Sequence, residues 1–230
     1  MKILMISTDS KIFEPTSEVR LRMISHAKNF DRLTIAVIGK EKFLPQRIND
    51  NLTMFSLGRL ESFFWHPETG FDLITSQNPF EHGLIAWLWA RKINAKLQLQ
   101  IHTDFLNPYF SKESFLNKLR VWLAKFLLPR ADSVRVVSRR ISDSLDGAGV
   151  RLKYCPIIQP VKIDLEKIKN EPVKINLHDK YPQFQKIVLM ASRLTREKNI
   201  SLAVRAMGII IKAKPNAGLV IVGSGPEESR

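Results

Sequence analysis

A single cysteine, Cys155, leaves no partner for an intrachain disulfide, which suits a reducing compartment such as the cytoplasm. The five histidines include no pair at metal-ligand helix spacing, and no cysteines gather beside them, so no metal site is expected. No apolar run approaches the roughly 18 residues that a membrane span requires. The longest, residues 84–90, stops at Arg91 and Lys92. The apolar part of residues 1–9 is too short for a signal peptide and reads as a first strand. There is no internal repeat and no low-complexity tract. Acid is scarce: 22 Asp and Glu stand against 36 Lys and Arg, a net charge of +14. That excess calls for an anionic partner, and acidic lipid, nucleic acid and phosphorylated small molecules are the candidates. It is concentrated between residues 111 and 140, where eight cations meet only Glu113 and Asp132.

What is present is an alternation of strand and helix signals, the pattern of a mostly parallel sheet with crossover helices. Strands are expected at 2–7, 33–39, 52–57, 71–76, 96–102, 133–138 and 153–158, and helices at 17–29, 80–92, 113–128 and 140–148. Pro129 should stop the third helix, since it has no amide hydrogen and its ring clashes with the preceding turn. In 96–102, Leu97, Leu99 and Ile101 alternate with Gln98 and Gln100, which predicts one polar or lightly covered face. At 230 residues, one full domain and part of another fit. The expected division is an amino-terminal Rossmann-like domain at 1–158, a proline-rich crossing at 159–185, and the beginning of a second domain at 186–230. The run Ile187-Val-Leu-Met-Ala191 reads there as a central buried strand.

In a doubly wound fold, ligands bind outside the carboxyl ends of the strands. That rule selects the loop 8–17 with Thr16 and Ser17, the segment 77–82, His102 with Thr103 and Asp104, and Ser138 with Arg139 and Arg140. His102 could hydrogen-bond a sugar hydroxyl or steady charge at a reacting carbon, its ring held by Thr103 and Asp104. Equally it could be a polar strand-end histidine satisfied by backbone. Arg193 and Lys198 flank the turn after 187–191. Two cations beside a helix start suit a diphosphate, and an ordinary basic turn has the same composition. Gly223-Ser-Gly-Pro226 closes the next strand, as glycines often do where a chain must turn tightly. The helix 113–128 carries Phe115, Leu116, Leu119, Trp122, Leu123, Phe126 and Leu127 at helical spacing, with Lys118, Arg120 and Lys125 off that stripe. It reads as a core-packing helix or, more sharply, as one that docks on an anionic membrane face. Phe63-Phe-Trp-His66 is a second apolar contact point or loop packing. No nucleic-acid module is recognisable, and aromatics are not interleaved with the cations, so nucleic acid is not an expected partner.

The run Ala191-Ser-Arg-Leu-Thr-Arg-Glu-Lys-Asn-Ile-Ser-Leu-Ala-Val-Arg-Ala206, followed by Leu219-Val-Ile-Val-Gly-Ser-Gly-Pro-Glu227, resembles the start of the carboxyl domain in glycosyltransferase family four. These are retaining, nucleotide-sugar-dependent enzymes of the GT-B fold. The opening strand, the strand ending in His102-Thr-Asp104, and Ala131-Asp-Ser-Val-Arg-Val-Val-Ser138 before a helix agree in order. The resemblance implies a GT-B-like α/β fold and Arg193 and Lys198 as the cations on the donor diphosphate. It implies His102 near the transferred sugar and an acceptor held mainly by the amino domain, where the strand-end rule offers Thr16, Ser17, Asp104, Ser138 and Arg139 as candidate cleft-lining residues. Donor and acceptor would be a nucleotide-diphosphate sugar and a glycan or lipid-linked molecule, with no cofactor and no metal. The protein would be cytoplasmic, peripheral to an anionic membrane surface. Two departures stand out. The loop 12–17 lacks the glycine pair common in the family, and nothing before Arg230 supplies the paired glutamates that grip donor sugar and ribose. The chain is therefore expected to be an incomplete enzyme without transfer activity of its own. The competing reading is a non-catalytic module that binds an acceptor or partner. A dinucleotide-binding protein is a third, and the missing glycine fingerprint in the first strand–helix turn counts against it.

Overall fold

The computed structural model describes residues 1–161, 163 and 165–228, with the side chain of residue 167 left out. Lys162 and Asp164, within the stretch read as the crossing, and the last two residues of the expected second domain lie outside the described residues. The chain divides into two compact units, Met1–Lys162 and Ile163–Arg230.

The first unit opens with β1 (Lys2–Ser7), α1 (Glu18–Ala27) and β2 (Arg32–Gly39), followed by β3 (Gln46–Asn49), β4 (Leu52–Gly58) and the short α2 (Glu61–Phe64). Its second half holds β5 (Leu73–Ser76), α3 (Glu81–Ile93), β6 (Lys96–Ile101), α4 (Pro108–Glu113), α5 (Phe115–Leu127), β7 (Ser133–Val136), α6 (Arg139–Gly147) and β8 (Ile157–Ile158). The strands form one sheet in the order β3-β4-β2-β1-β5-β6-β7-β8. All pairings are parallel except β3 with β4, where a register shift between Arg47 and Asn49 marks an antiparallel edge. From β1 the chain builds outward to one side, then returns to β5 and builds to the other. The reversal between β1 and β5 is the switch point at which open α/β sheets bind ligands.

Alternation along the strands divides the core between two faces. Leu4, Ile6, Ile74, Leu97, Leu99, Ile101, Val134 and Val136 pack beneath α3, α5 and α6, with fully buried Trp89 at the centre. The Trp89 indole donates to the Ser62 carbonyl at 3.0 Å, so its polar edge is satisfied. Ile3, Leu33, Ile35 and Val37 face the other way, under Met23 and Ala27 of α1 and under Ile12 and Phe13. β2 is apolar on both faces and buried for nearly its whole length, as a central parallel strand should be.

Several sequence expectations are corrected. The helix expected at 113–128 is α5, which starts two residues later because extended Ser114 caps it by accepting the Asn117 amide. A short separate helix, α4, started by Asn107 and Pro108, precedes it and has no counterpart among the expected helices. Pro129 lies in a 3-10 turn just past α5. The strand expected at 153–158 shrinks to two residues. The glutamine face of β6 is polar, as expected, yet Gln100 is buried. Its amide donates to Thr75 at 3.0 Å, its oxygen accepts from Arg135 at 2.9 Å, and the Thr75 hydroxyl donates to Gln98 at 3.1 Å. A satisfied polar ladder replaces an apolar layer there.

The second unit contains α7 (Leu165–Asn170), α8 (Leu177–Lys180), β9 (Lys186–Ala191), α9 (Ile200–Ala213) and β10 (Ala217–Val222). β9 and β10 pair in parallel, joined through α9. The expectation of a buried central strand fails for β9: Val188 and Leu189 are about half exposed, because no further strand or helix layer among the described residues covers them. The stretch Phe63–His66 packs in part, Trp65 meeting Trp89 and Phe55, while Phe64 stays exposed.

Candidate functional site

A cavity of about 310 Å³ opens at the carboxyl ends of β1, β5 and β6, at the switch point. Met5, Ile12, Met23 and Ile35 form its apolar part; Ser7, Asp9, Arg22, Gln77, Asn78 and His102 supply polar groups. Ser7 fixes the mouth. Its hydroxyl donates to the Gln77 side chain at 3.2 Å and accepts the Asp9 amide at 3.2 Å, tying the β1 loop to the β5 loop. Asp9 then accepts the Lys11 amide and starts the 3-10 turn 10–13. That turn drives Ile12 and Phe13 into the core, and Phe13 stacks on Phe43 at 4.3 Å. The loop thus holds its shape through apolar anchors.

His102 leaves the polar face of β6, two residues beyond Gln100, and reaches the cavity while staying exposed on its other side. Desolvation, and secondarily the Arg135 guanidinium, hold its pKa below the ordinary histidine value. The imidazole is therefore neutral near pH 7, able to accept at one nitrogen and donate at the other. Thr103 and Asp104 do not fix the ring, contrary to the sequence reading. Asp104 turns away to accept from Arg140 and from the Ser144 hydroxyl, each at 3.3 Å, with its Oδ1 buried and unpartnered among the described residues. A second histidine, His82, lies beside the cavity wall: its Nδ1 is 3.0 Å from the Asn78 amide nitrogen. Read as an acceptor there, Nδ1 leaves the proton on Nε2. Burial lowers its pKa as well.

The remaining residues expected on the acceptor side sit at helix starts. Ser17 caps α1 by accepting the Arg20 amide at 3.1 Å, and Ser138 caps α6 by accepting that of Ile141 at 3.4 Å. Thr16 and Arg139 are exposed, and none of these four lines the cavity. Sequence reasoning missed Arg22. The signal was its place beside Val19 and Met23 on α1, at the spacing that turns those two toward the cavity.

In the second unit, Arg193 and Lys198 are brought together through the residue between them. Glu197 Oε1 lies 3.1 Å from the Arg193 guanidinium and 3.9 Å from the Lys198 ammonium. One carboxylate oxygen thus occupies the point where the two cations converge. The turn holds its shape through buried Leu194 and a 3-10 turn at 196–198 that ends at left-handed Asn199, from which α9 starts. The glycines after β10 press against this turn. Leu194 exchanges backbone hydrogen bonds with Ser224 at 2.9 Å and Glu227 at 3.0 Å. A Cβ on Gly223, whose φ is +150°, would lie 1.9 Å from the Ser192 carbonyl oxygen, and one on Gly225 2.3 Å from that of Leu194. Only glycine allows that approach. Among the described residues, no three His, Cys, Asp or Glu side chains gather as a metal site, and no helix is long and apolar enough to cross a membrane.

Comparisons with known proteins agree with this architecture. Residues 42–157 match the glycosyl transferase 4-like domain, and residues 174–230 match the glycosyl transferases group 1 domain. Alpha-monoglucosyldiacylglycerol synthase of Streptococcus pneumoniae is 28% identical over 163 residues, covering 67% of this chain and 37% of that protein. Among solved structures, Anabaena HepE in complex with UDP-glucose aligns with a TM-score of 0.58 at 15% identity, over 97% of this chain and 61% of its own. The alpha,alpha-trehalose 6-phosphate synthase of Burkholderia multivorans gives a TM-score of 0.61 at 12% identity, over 96% and 64%. The chain thus spans little more than a third of the curated relative and about three fifths of each of these structures. With its doubly wound first unit, its strand–basic turn–helix second unit and a domain match across half its length, the chain belongs to the glycosyl transferase 4-like family of GT-B glycosyltransferases.

Proposed function

We propose that the chain serves transfer of a sugar from a nucleotide-diphosphate donor to a glycan or lipid-linked acceptor, with retention of configuration. The observation that carries this reading is the convergence of Arg193 and Lys198 on a single anionic oxygen at the turn between β9 and α9. In the free protein Glu197 neutralises the pair; a donor diphosphate, with more charge, takes its place. The cations then stabilise the diphosphate as the bond from the anomeric carbon to its oxygen breaks, a task that needs no metal. The acceptor hydroxyl forms its new bond on the face the diphosphate leaves, and its proton passes to that departing oxygen. The first unit supplies the acceptor side, where neutral His102 offers a hydrogen-bond donor and an acceptor at the cavity. HepE, which shares the fold, was solved with UDP-glucose, and the Streptococcus pneumoniae relative is named for a glucosylated diacylglycerol. The first supports a nucleotide-sugar donor and the second a lipid acceptor. Exposed Cys155 suits a cytoplasmic setting.

The test is titration calorimetry of the protein with UDP- and GDP-sugars, alongside Arg193→Ala and Lys198→Ala. A hydrogen bond to a charged group contributes about 1.5–3 kcal/mol, and each 1.4 kcal/mol is about tenfold. Each variant should therefore bind roughly ten- to a hundredfold more weakly. Chelation with EDTA should change little. Undiminished affinity in either alanine variant, or affinity abolished by EDTA, removes the diphosphate assignment. A protein that binds glycan or lipid but none of these nucleotides is instead the acceptor-binding module.

A further inference from the structure

The helix α5 carries two apolar stripes; the core takes one and, of the other, only the carboxyl end, where Phe126 is partly buried against it. Asn117, Ala124 and Leu127 turn inward and are buried. Phe115, Leu119, Trp122 and Phe126 recur at i, i+4, i+7 and i+11 and form a second stripe on the opposite side. Phe115 is 82% exposed, Trp122 62% and Leu119 50%. Tyr109 on the preceding α4 is exposed as well. Trp122 stacks on Phe126 at 5.9 Å, and Phe126 meets the edge of Trp87 at 5.8 Å, so the stripe continues as an aromatic row onto α3. Cations end that row: the Arg130 guanidinium lies 3.7 Å from the Phe126 ring centroid and that of Arg91 5.3 Å from Trp87. A continuous exposed apolar stripe of this kind marks a contact surface.

We infer that this outer stripe of α5 is a docking surface for an anionic lipid bilayer, with its aromatic side chains in the interface and the flanking cations on lipid phosphates. Charge selects the occupant. Lys118 and Lys125 lie along one edge of the stripe, and Lys112 and Arg130 near its two ends. Among the described residues none of these four pairs with a carboxylate. The nearby acids are occupied, Glu113 with the Asn117 amide and Glu81 with Arg120. A second copy of this chain would bring the same uncompensated cations face to face, because a two-fold interface repeats one patch on both sides. An anionic bilayer accepts both features at once: apolar side chains enter the acyl boundary, and lysines extend their stems along it to reach headgroups. This deepens the lipid-linked acceptor reading, but its test uses neither nucleotide nor turnover, so either can fail alone.

The purified protein is sedimented with vesicles of equimolar phosphatidylglycerol and phosphatidylcholine, and with phosphatidylcholine alone. Binding is expected to the anionic vesicles and to weaken in high salt. Exchanging both aromatic anchors, Phe115→Ser with Trp122→Ser, should reduce partition at least about tenfold. Lys118→Glu and Lys125→Glu should each reduce it about fivefold. All four side chains are exposed, so melting temperatures should stay near that of the parent protein. Absence of wild-type binding to anionic vesicles overturns the inference, as does binding that the aromatic exchange leaves unchanged. Self-association that Trp122→Ser abolishes, without vesicle binding, assigns the stripe to a second copy instead.

Discussion

At the scale of single residues, the first unit's chemistry centres on His102 and what stands behind it. Gln98, Thr75, Gln100 and Arg135 form a connected polar ladder, and His102 is the next residue on the same face of β6. Arg135 thereby does two things: it satisfies buried Gln100, and its charge lowers the His102 pKa. His102 makes no side-chain hydrogen bond to another described residue, so truncating it leaves no buried partner unpaired. In an enzyme completed with the remaining donor-side residues, and if His102 meets the transferred sugar in the transition state, His102→Ala should lower turnover about ten- to a hundredfold while nucleotide affinity stays near normal. Steady-state kinetics with parallel nucleotide titration separates the two. An alanine variant that melts earlier but turns over normally would return His102 to a purely structural role. The position of His102 was legible in the sequence, because a strand end is where such a fold exposes side chains. Its environment was not, since Arg135 lies more than thirty residues away and reaches it only through the parallel pairing of β6 with β7.

At the scale of elements, the placement of α3 decides whether the cavity wall forms. Gly83 lies in the first turn of α3, where a Cβ would come within 2.9 Å of the Asn78 carbonyl oxygen and 3.4 Å of Leu127 and Leu99. Helix propensity alone would favour alanine there by about 1 kcal/mol. Steric overlap with a backbone atom and two core side chains should outweigh it. Gly83→Ala is therefore expected to destabilise by about 1–3 kcal/mol, measured by urea unfolding, and to disturb Asn78 at the cavity wall. A stabilised variant would show that α3 can shift without cost. Helix α5 teaches the converse lesson. Its periodicity is plain in the sequence, and the core-packing reading took all its large apolar residues as one stripe. The fold uses the side carrying Asn117 and Ala124, small enough to pack closely against α4 and α3, and leaves Phe115 and Trp122 outside, with Phe126 partly buried. Apolar spacing says that a helix has an apolar face; which of two such faces meets the sheet depends on the neighbours.

For the whole molecule, three histidines in the first unit respond to acid together. Burial is the largest cause lowering the pKa of His26, His82 and His102; nearby arginines add to it at His26 and His102, while at His82 the Glu81 carboxylate opposes it before Arg59 and Arg120 add. A histidine held low when folded binds its proton more readily when unfolded. Stability is therefore fully present above the ordinary histidine value near 6.5 and falls as pH drops from there toward the depressed folded values. Melting temperature should decline from pH 7 to pH 5, before the carboxylates begin to titrate. His82→Gln, which can keep a partner for Asn78, should flatten that decline; a melting temperature flat across this range would contradict the burial assigned to these rings. The sequence by itself determined the order of the main parallel strands and longer helices, the parallel class of the sheet, the strand-end location of His102 and the basic turn of Arg193 and Lys198. These depend on periodicity, on breakers such as Pro129 and on local spacing, all properties of neighbouring residues. Only the tertiary structure decided that Ser7 and Gln77 close one cavity mouth and that Gln100 is buried in a polar ladder. It alone showed that Gly223 and Gly225 admit the Ser192 and Leu194 carbonyls, and that the heavy stripe of α5 faces outward. Each of those depends on two segments distant in sequence meeting across strands, where packing and hydrogen-bond satisfaction, rather than local preference, select the arrangement.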